Sequence, residues 1–300
     1  MTDDLAGRPT LFCRRMMRNE LDTWLSISNE CTSSKRELAA AFMNLEDSIF
    51  FLASISGETI GGTSLFRDSR LLGLALTSVR LIEDYQESVT LQLLKSSLPF
   101  FKSVAIRNVD AIVSKNSSEC EVPFPLSTEI GAWVVPTLRK LEFREEEEIF
   151  HYNIRLGKGK NDSESVLMKD KTVNTYGVRK LLWAARKTNS LYFSQAWLAL
   201  SLAISRGSLR TYSSGEDAFL AFSLEPFEAD IVVPLIVADF ERIDLNDIAR
   251  QLMSEVHKFT ARSLHFPLTG VNQVELFELL AEYCNAELNS RELLLLRKEL

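Results

Sequence analysis

Apolar positions along the chain switch repeatedly between a period of two and a period near 3.6, so short strands alternate with helices. Residues 8–30 read as a short strand and then a helix, with Met16, Met17, Leu21, Trp24 and Leu25 on one face. Thr32-Ser33-Ser34 can cap a second helix, whose apolar side is Leu38, Ala41, Phe42 and Leu45. Two strands, Ile49–Ser56 and Thr59–Arg67, flank Ser56-Gly57-Glu58, which is hairpin turn chemistry. Gly61-Gly62 within the second strand predicts a bulge or a close backbone approach.

The stretch Ser78–Leu94 organises the first half. Gly73–Ile82 is a strand, Glu83-Asp84 an acidic turn, and a helix with Leu91, Leu93 and Leu94 on its apolar face runs to about Phe101. A strand running straight into a helix leaves the helix's first amides unpaired, with partial positive charge, which makes the junction a natural anion site. A short strand at Asp110–Ser114, a helix at Ala132–Leu141 around Pro136 and a strand at Glu147–Leu156 follow.

Residues 157–172, GKGKNDSESVLMKDKT, are polar and lack a periodic apolar face, so they read as a linker between domains at 1–156 and 173–300. Beyond it come helices at Gly177–Lys187 and Leu191–Ser205, strands at Ala218–Leu224 and Asp230–Val237, and a helix over Leu245–Thr260. A strand at Ser263–Phe266, a helix at Val274–Cys284 and a last strand at Leu293–Lys298 complete the chain. Trp24, Trp133, Trp183 and Trp197 are read as core.

The halves echo each other. Leu81–Tyr85 (LIEDY) and Ile236–Phe240 (IVADF) each lead from a strand into a helix. Phe124–Ser127 (FPLS) and Phe266–Thr269 (FPLT) follow in the same order, which argues for an ancestral duplication.

A net charge of -7 and a pI near 5.3 argue against nucleic acid as a partner, because a phosphate backbone needs a basic surface. No apolar run is long enough to cross a bilayer, and MTDDLAGRPT is unlike a secretory signal, so a cytoplasmic location is expected. Cys13, Cys31, Cys120 and Cys284 form no CxxC pair, and His151, His257 and His265 have no ligand spacing, so no metal site is expected.

This order of elements, with Ile60-Gly61-Gly62 on the hairpin and Leu141-Glu142-Phe143 after the second core helix, resembles the GNAT superfamily of acyl-CoA N-acyltransferases in tandem. The resemblance implies an α/β fold: two GNAT-like domains, each a mixed, mostly antiparallel sheet flanked by helices. It implies acetyl-CoA or another acyl-CoA as co-substrate and a small-molecule or peptide amine as acceptor. The backbone of Val79 and Leu81 would lie along the cofactor. Gln86, Ser88, Val89 and Thr90 overlay the family's pyrophosphate turn, here without its glycines. Tyr283 matches the family's general acid, whereas the first half has Leu138 at that place.

Other readings of these residues stay open. Ser88 could cap its own helix, Asp244 and Asp247 have the spacing of a capping pair that would repel a pyrophosphate, and Tyr283 could be core. Glu83, Asp84 and the run Glu145–Glu148 could attract a basic substrate or simply face solvent. The alternative to an enzyme is a non-catalytic tandem fold that serves as scaffold, homodimerisation module or CoA sensor.

Overall fold

The structure is a computed structural model that describes residues 11–27, 33–46, 48–67, 74–81, 86–103, 106–115, 129–130, 134–157, 167–170, 172–185, 193–214, 218–269 and 273–300. The described residues form two compact units. The first takes those up to 118, from 126 to 145 and from 296 to 300; the second takes those from 146 to 295. The division differs from the linker expected at 157–172. The strand expected to close the first half enters the second unit, and the last five residues of the chain belong to the first.

In the first unit, β1 (Leu11–Arg15), α1 (Leu21–Ser26) and α2 (Ser33–Met43) precede the hairpin of β2 (Ser48–Ile55) and β3 (Glu58–Arg67). Ser56 and Gly57 both have positive φ, 53° and 88°, the backbone a two-residue hairpin turn needs. β4 (Leu74–Leu81), α3 (Gln86–Ser103), β5 (Asn108–Ser114), β6 (Glu129–Ile130) and α4 (Val135–Lys140) follow. The strands lie in the order β1-β2-β3-β4-β5. All neighbours are antiparallel except β4 and β5, which are parallel because a helix crosses between them.

The core of this unit is aromatic: Phe50 sits edge-on to Trp24 at 4.8 Å and to Phe42 at 5.2 Å. The expected bulge is present, since Ala53 faces Gly61 while Ser54 faces Thr59. Gly62 meets the ring of Trp24 so closely that a Cβ would stand 2.6 Å from its Cζ3 and 2.6 Å from the Phe51 carbonyl oxygen.

A buried ion pair holds the far side of β5. Asp110 is fully buried, and Arg297 clamps it through Nε at 2.7 Å and a second guanidinium nitrogen at 2.9 Å. The Leu300 amide donates to the Arg107 carbonyl at 2.8 Å, and Lys298 reaches Glu142 at 3.1 Å.

In the second unit, β7 (Arg144–Arg155), β8 (Met168–Lys169), α5 (Thr175–Ala185), α6 (Phe193–Arg206), β9 (Leu209–Ser214) and β10 (Ala218–Ser223) come first. β8 falls inside the expected linker, and β9, too polar to stand out, has no counterpart in the sequence reading. The strand expected at 230–237 is broken around Pro234 into β12 (Asp230–Val232) and β13 (Ile236–Ala238), and β11 (Glu225–Phe227) precedes them. Then come α7 (Leu245–Val256), β14 (Ser263–Thr269), α8 (Val274–Tyr283) and β15 (Leu288–Glu299). One sheet runs β15-β7-β14-β12-β11 and the other β13-β10-β9-β8.

α7 buries Ile248, Leu252 and Val256, one stripe at helical spacing. Phe277 of α8 packs on Tyr152 at 4.9 Å and on Phe266 at 4.6 Å. Trp24 and Trp197 are core as expected, but Trp183 is 36% exposed and packs edge-on to Trp197; Trp133 lies outside the described residues.

Two substitutions test this packing. Gly62→Ala must push Trp24 aside and is expected to cost roughly 1–3 kcal/mol in urea unfolding. Arg297→Ala strands a buried carboxylate and is expected to cost about 3–5 kcal/mol, most of which is regained when Asp110→Leu is combined with Arg297→Met.

Candidate functional site

In the first unit the two parallel strands part. β4 and β5 pair from Leu74/Asn108 to Thr77/Ala111 and no further, although both continue. β4 stays paired with β3 up to Leu81, so Ser78–Leu81 turn one backbone edge toward the opening. Val79 and Leu81 lie on that stretch, as expected. β6 sits in the opening: Glu129 and Ile130 pair in parallel with Ile112 and Val113 of β5, and the segment lies beside β4.

The turn after β4, residues 82–85 with Glu83 and Asp84, lies outside the described residues, as do the side chains of Gln86 and Ser88. α3 begins at Gln86, so the amides of Gln86 to Ser88 belong to its opening turn and lack an intrahelical acceptor. Val89 and Thr90 stand deeper, with amides inside the helical ladder and side chains buried at 6% and 0% exposure. The amides of α3 without an intrahelical acceptor are thus those of Gln86 to Ser88, and of the residues in the sequence overlay Gln86 and Ser88 fall among them while Val89 and Thr90 do not. Leu138 is fully buried on α4 and offers no proton.

The second unit repeats the parting. β12 and β14 pair only at Ile231/Leu264 and Val232/His265, the Val233 amide donates to the His265 carbonyl at 2.8 Å, and β13 then turns to pair with β10. The helix that follows is closed at its start. Asp244 caps α7, its Oδ1 accepting from the Asn246 amide at 2.8 Å and from the Asn246 side chain at 2.9 Å. These hydrogen bonds, with Arg250 nearby, hold the Asp244 carboxyl below its ordinary range. Asp244 thus caps the helix alone, since among the described residues Asp247 returns no side-chain bond to it, and a carboxylate stands at the helix start.

Tyr283 ends α8 and is 38% exposed, so it is not a core residue. Its hydroxyl accepts from Arg250 Nε at 3.2 Å. The next residue, Cys284, is buried and 3.9 Å from the Met253 sulfur, and burial pushes its thiol up to about 11, which leaves it inert. Glu145 pairs with Arg139 on the exposed start of β7, the solvated alternative for the Glu145–Glu148 run.

One constellation escaped the sequence reading. His151 on β7 and His265 on β14 are both buried, with Nε2 of the first 3.2 Å from Nδ1 of the second. Asn153 Nδ2 lies 3.1 Å from the same Nδ1, and Asp230 Oδ2 lies 3.5 Å from His265 Nε2. With the proton of His265 on Nε2 toward Asp230, its Nδ1 accepts from His151 and Asn153, so the cluster is satisfied while both rings are neutral. Burial, then the proximity of His265, pushes His151 down to about 3. Burial also lowers His265, against the opposing effect of Asp230. The partners are 114 residues apart and share no local spacing; only the antiparallel register of β7 and β14 brings them together. Among the described residues no group of three or more His, Cys, Asp or Glu side chains could hold a metal ion. No helix of the described residues is long and apolar enough to cross a membrane.

No family model and no curated protein sequence matches the chain. Solved structures do. A GCN5-related N-acetyltransferase from Sphaerobacter thermophilus superposes with a TM-score of 0.62 at 8% identity, over 96% of this chain and 95% of that one. A tandem GNAT protein from the clavulanic acid biosynthesis pathway gives 0.61 at 11% identity, over 97% and 98%. A GCN5-related N-acetyltransferase from Kribbella flavida gives 0.54 at 14% identity, over 95% and 71%. The chain therefore has the fold of the GNAT acetyltransferases, in the tandem arrangement.

The histidine pair makes stability depend on pH. The unfolded chain takes up a proton near 6.5 that folded His151 refuses until about 3, so its contribution is complete above 6.5 and is lost as pH falls. The expected loss is about 1.4 kcal/mol per pH unit below that point. Urea midpoints of the wild type and His151→Phe should therefore converge or cross as the solution is acidified, and parallel pH profiles would contradict the assignment.

Proposed function

We propose that the chain is an acyl-CoA-dependent N-acyltransferase whose acyl donor enters the first unit where β4 and β5 part. The observation that carries this reading is the backbone edge of Ser78–Leu81, which has no ladder partner on the β5 side among the described residues, with the opening turn of α3 at Gln86 to Ser88, whose amides lack an intrahelical acceptor, shortly after it in the chain. The edge suits an extended ligand arm that bonds like a strand, and the amides suit its diphosphate. β6 marks the opening as wide enough for one extended chain, and the donor takes the place of that two-residue ladder.

In the transfer, the neutral amine nitrogen attacks the thioester carbonyl carbon. A C–N bond forms, the C–S bond breaks, the thiolate of CoA leaves, and the amine gives up one proton. Backbone edge and amides bind and orient the donor; the acceptor is an amine of unspecified structure. In the second unit the phenol of Tyr283, held by Arg250, is the proton donor on offer, but a carboxylate caps the helix start there. The better donor-binding features and the better acid thus belong to different units.

Two observations favour the second reading, a non-catalytic tandem fold: β6 already occupies one opening, and Asp244 already caps the other helix. Titration with acetyl-CoA separates the two. The enzyme reading expects a saturable rise in melting temperature, with Ser88→Glu weakening binding by about tenfold or more through charge repulsion at the opening turn. Binding by wild type that Ser88→Glu leaves intact would move the site elsewhere. Binding without turnover of any amine would favour a sensor, and no binding at all would end the acyltransferase proposal.

A further inference from the structure

Where β4 leaves β5, the backbone of β5 loses its ladder partner on that side. The last rung the two strands share is Thr77 with Ala111, and the next two residues of β5, Ile112 and Val113, are fully buried. Buried backbone amides and carbonyls need partners, and here water does not supply them. β6 does. Glu129 pairs with Ile112 and Ile130 with Val113, in parallel, starting one residue past the last rung of β4.

β6 is a separate piece of chain, since β5 ends at Ser114 and β6 begins at Glu129. It lies beside β4, yet its ladder partner among the described residues is β5 alone. The parting of two strands does not by itself require such a filler. In the second unit β12 and β14 part in the same way, and among the described residues β14 has only β7 and β12 as ladder partners. The β6 ladder is also short: two residues in a parallel pairing, which is the weaker kind per residue, so little holds it in place.

We propose that β6 is an internal plug, a strand of the chain's own that competes with the acyl donor for the opening and must leave β5 before the donor can seat. The inference rests on the acyltransferase reading and names the regulation of that same opening. Space sets the competition. Neighbouring strands stand about 4.8 Å apart, so an extended donor arm along Ser78–Leu81 needs the place beside β4 that β6 now takes. With β6 docked, β5 is paired and the edge of Ser78–Leu81 waits. With the donor bound, that edge is paired, and Ile112 and Val113 exchange β6 for the donor or for water. The apparent affinity for the donor is the intrinsic affinity scaled by the fraction of molecules with β6 released, so whatever weakens the β6 ladder tightens the donor.

The test titrates acetyl-CoA into the full chain, as wild type and as two variants that weaken this ladder and leave Ser78–Leu81 and α3 unchanged. Ile130→Pro removes a backbone donor from β6, and Glu129→Gly combined with Ile130→Gly lowers its strand propensity. Each should bind acetyl-CoA about tenfold or more tightly than wild type. Hydrogen exchange in wild type needs no variant: at saturating acetyl-CoA the amides of Glu129 and Ile130 should exchange faster than without it. If wild type binds and both variants bind equally or more weakly, or if exchange at Glu129 and Ile130 slows or stays the same, the plug is overturned and the acyltransferase reading stands. Binding by the variants alone supports both. No binding by wild type or by either variant overturns both.

Discussion

A carboxylate with no access to water must be matched by a positive charge, and Asp110 on β5 is such a group. Its partner, Arg297, lies almost two hundred residues further along the chain. The bidentate clamp fixes which residue of the C-terminal segment lies beside β5, and so fixes the register of that edge. β5 is also the strand from which β4 departs, so the opening where the donor is placed is only as well defined as β5. The first unit is therefore complete only once residues 296–300 lie beside β5.

Both units use the same device, a pair of parallel strands that separate partway. In the first unit the separation is followed by a helix whose opening amides lack an intrahelical acceptor; in the second, by a helix capped by Asp244. The two units thus share this backbone device and differ in the electrostatics at the helix start. A carboxylate at a helix start stabilises the helix and repels an anion, and in the second unit Asp244 fills that place.

Much of the fold was legible along the chain. The hairpin at Ser56-Gly57, the bulge beside Gly61, the cap at Asp244 and the amphipathic helices follow from local chemistry, and they stand within a few residues of where the pattern puts them. The features that escaped are those that local chemistry does not encode. β9 is polar and short of alternation, β8 hides in a run that reads as linker, and Pro234 breaks one expected strand into two. For the site, alternation puts Val79 and Leu81 on the strand, whereas no glycine marks where α3 begins, and the structure sets that start at Gln86.

By itself the sequence determined most of the helices and strands, the echo between the halves and their resemblance to an acyl-CoA-binding fold, because periodicity, turn chemistry and caps act over a few residues. Tertiary structure alone decided which strand closes which unit, the meeting of His151 with His265 and the pairing of Asp110 with Arg297. Those depend on register between strands far apart in the chain, and register is set by the burial of whole faces rather than by any local signal.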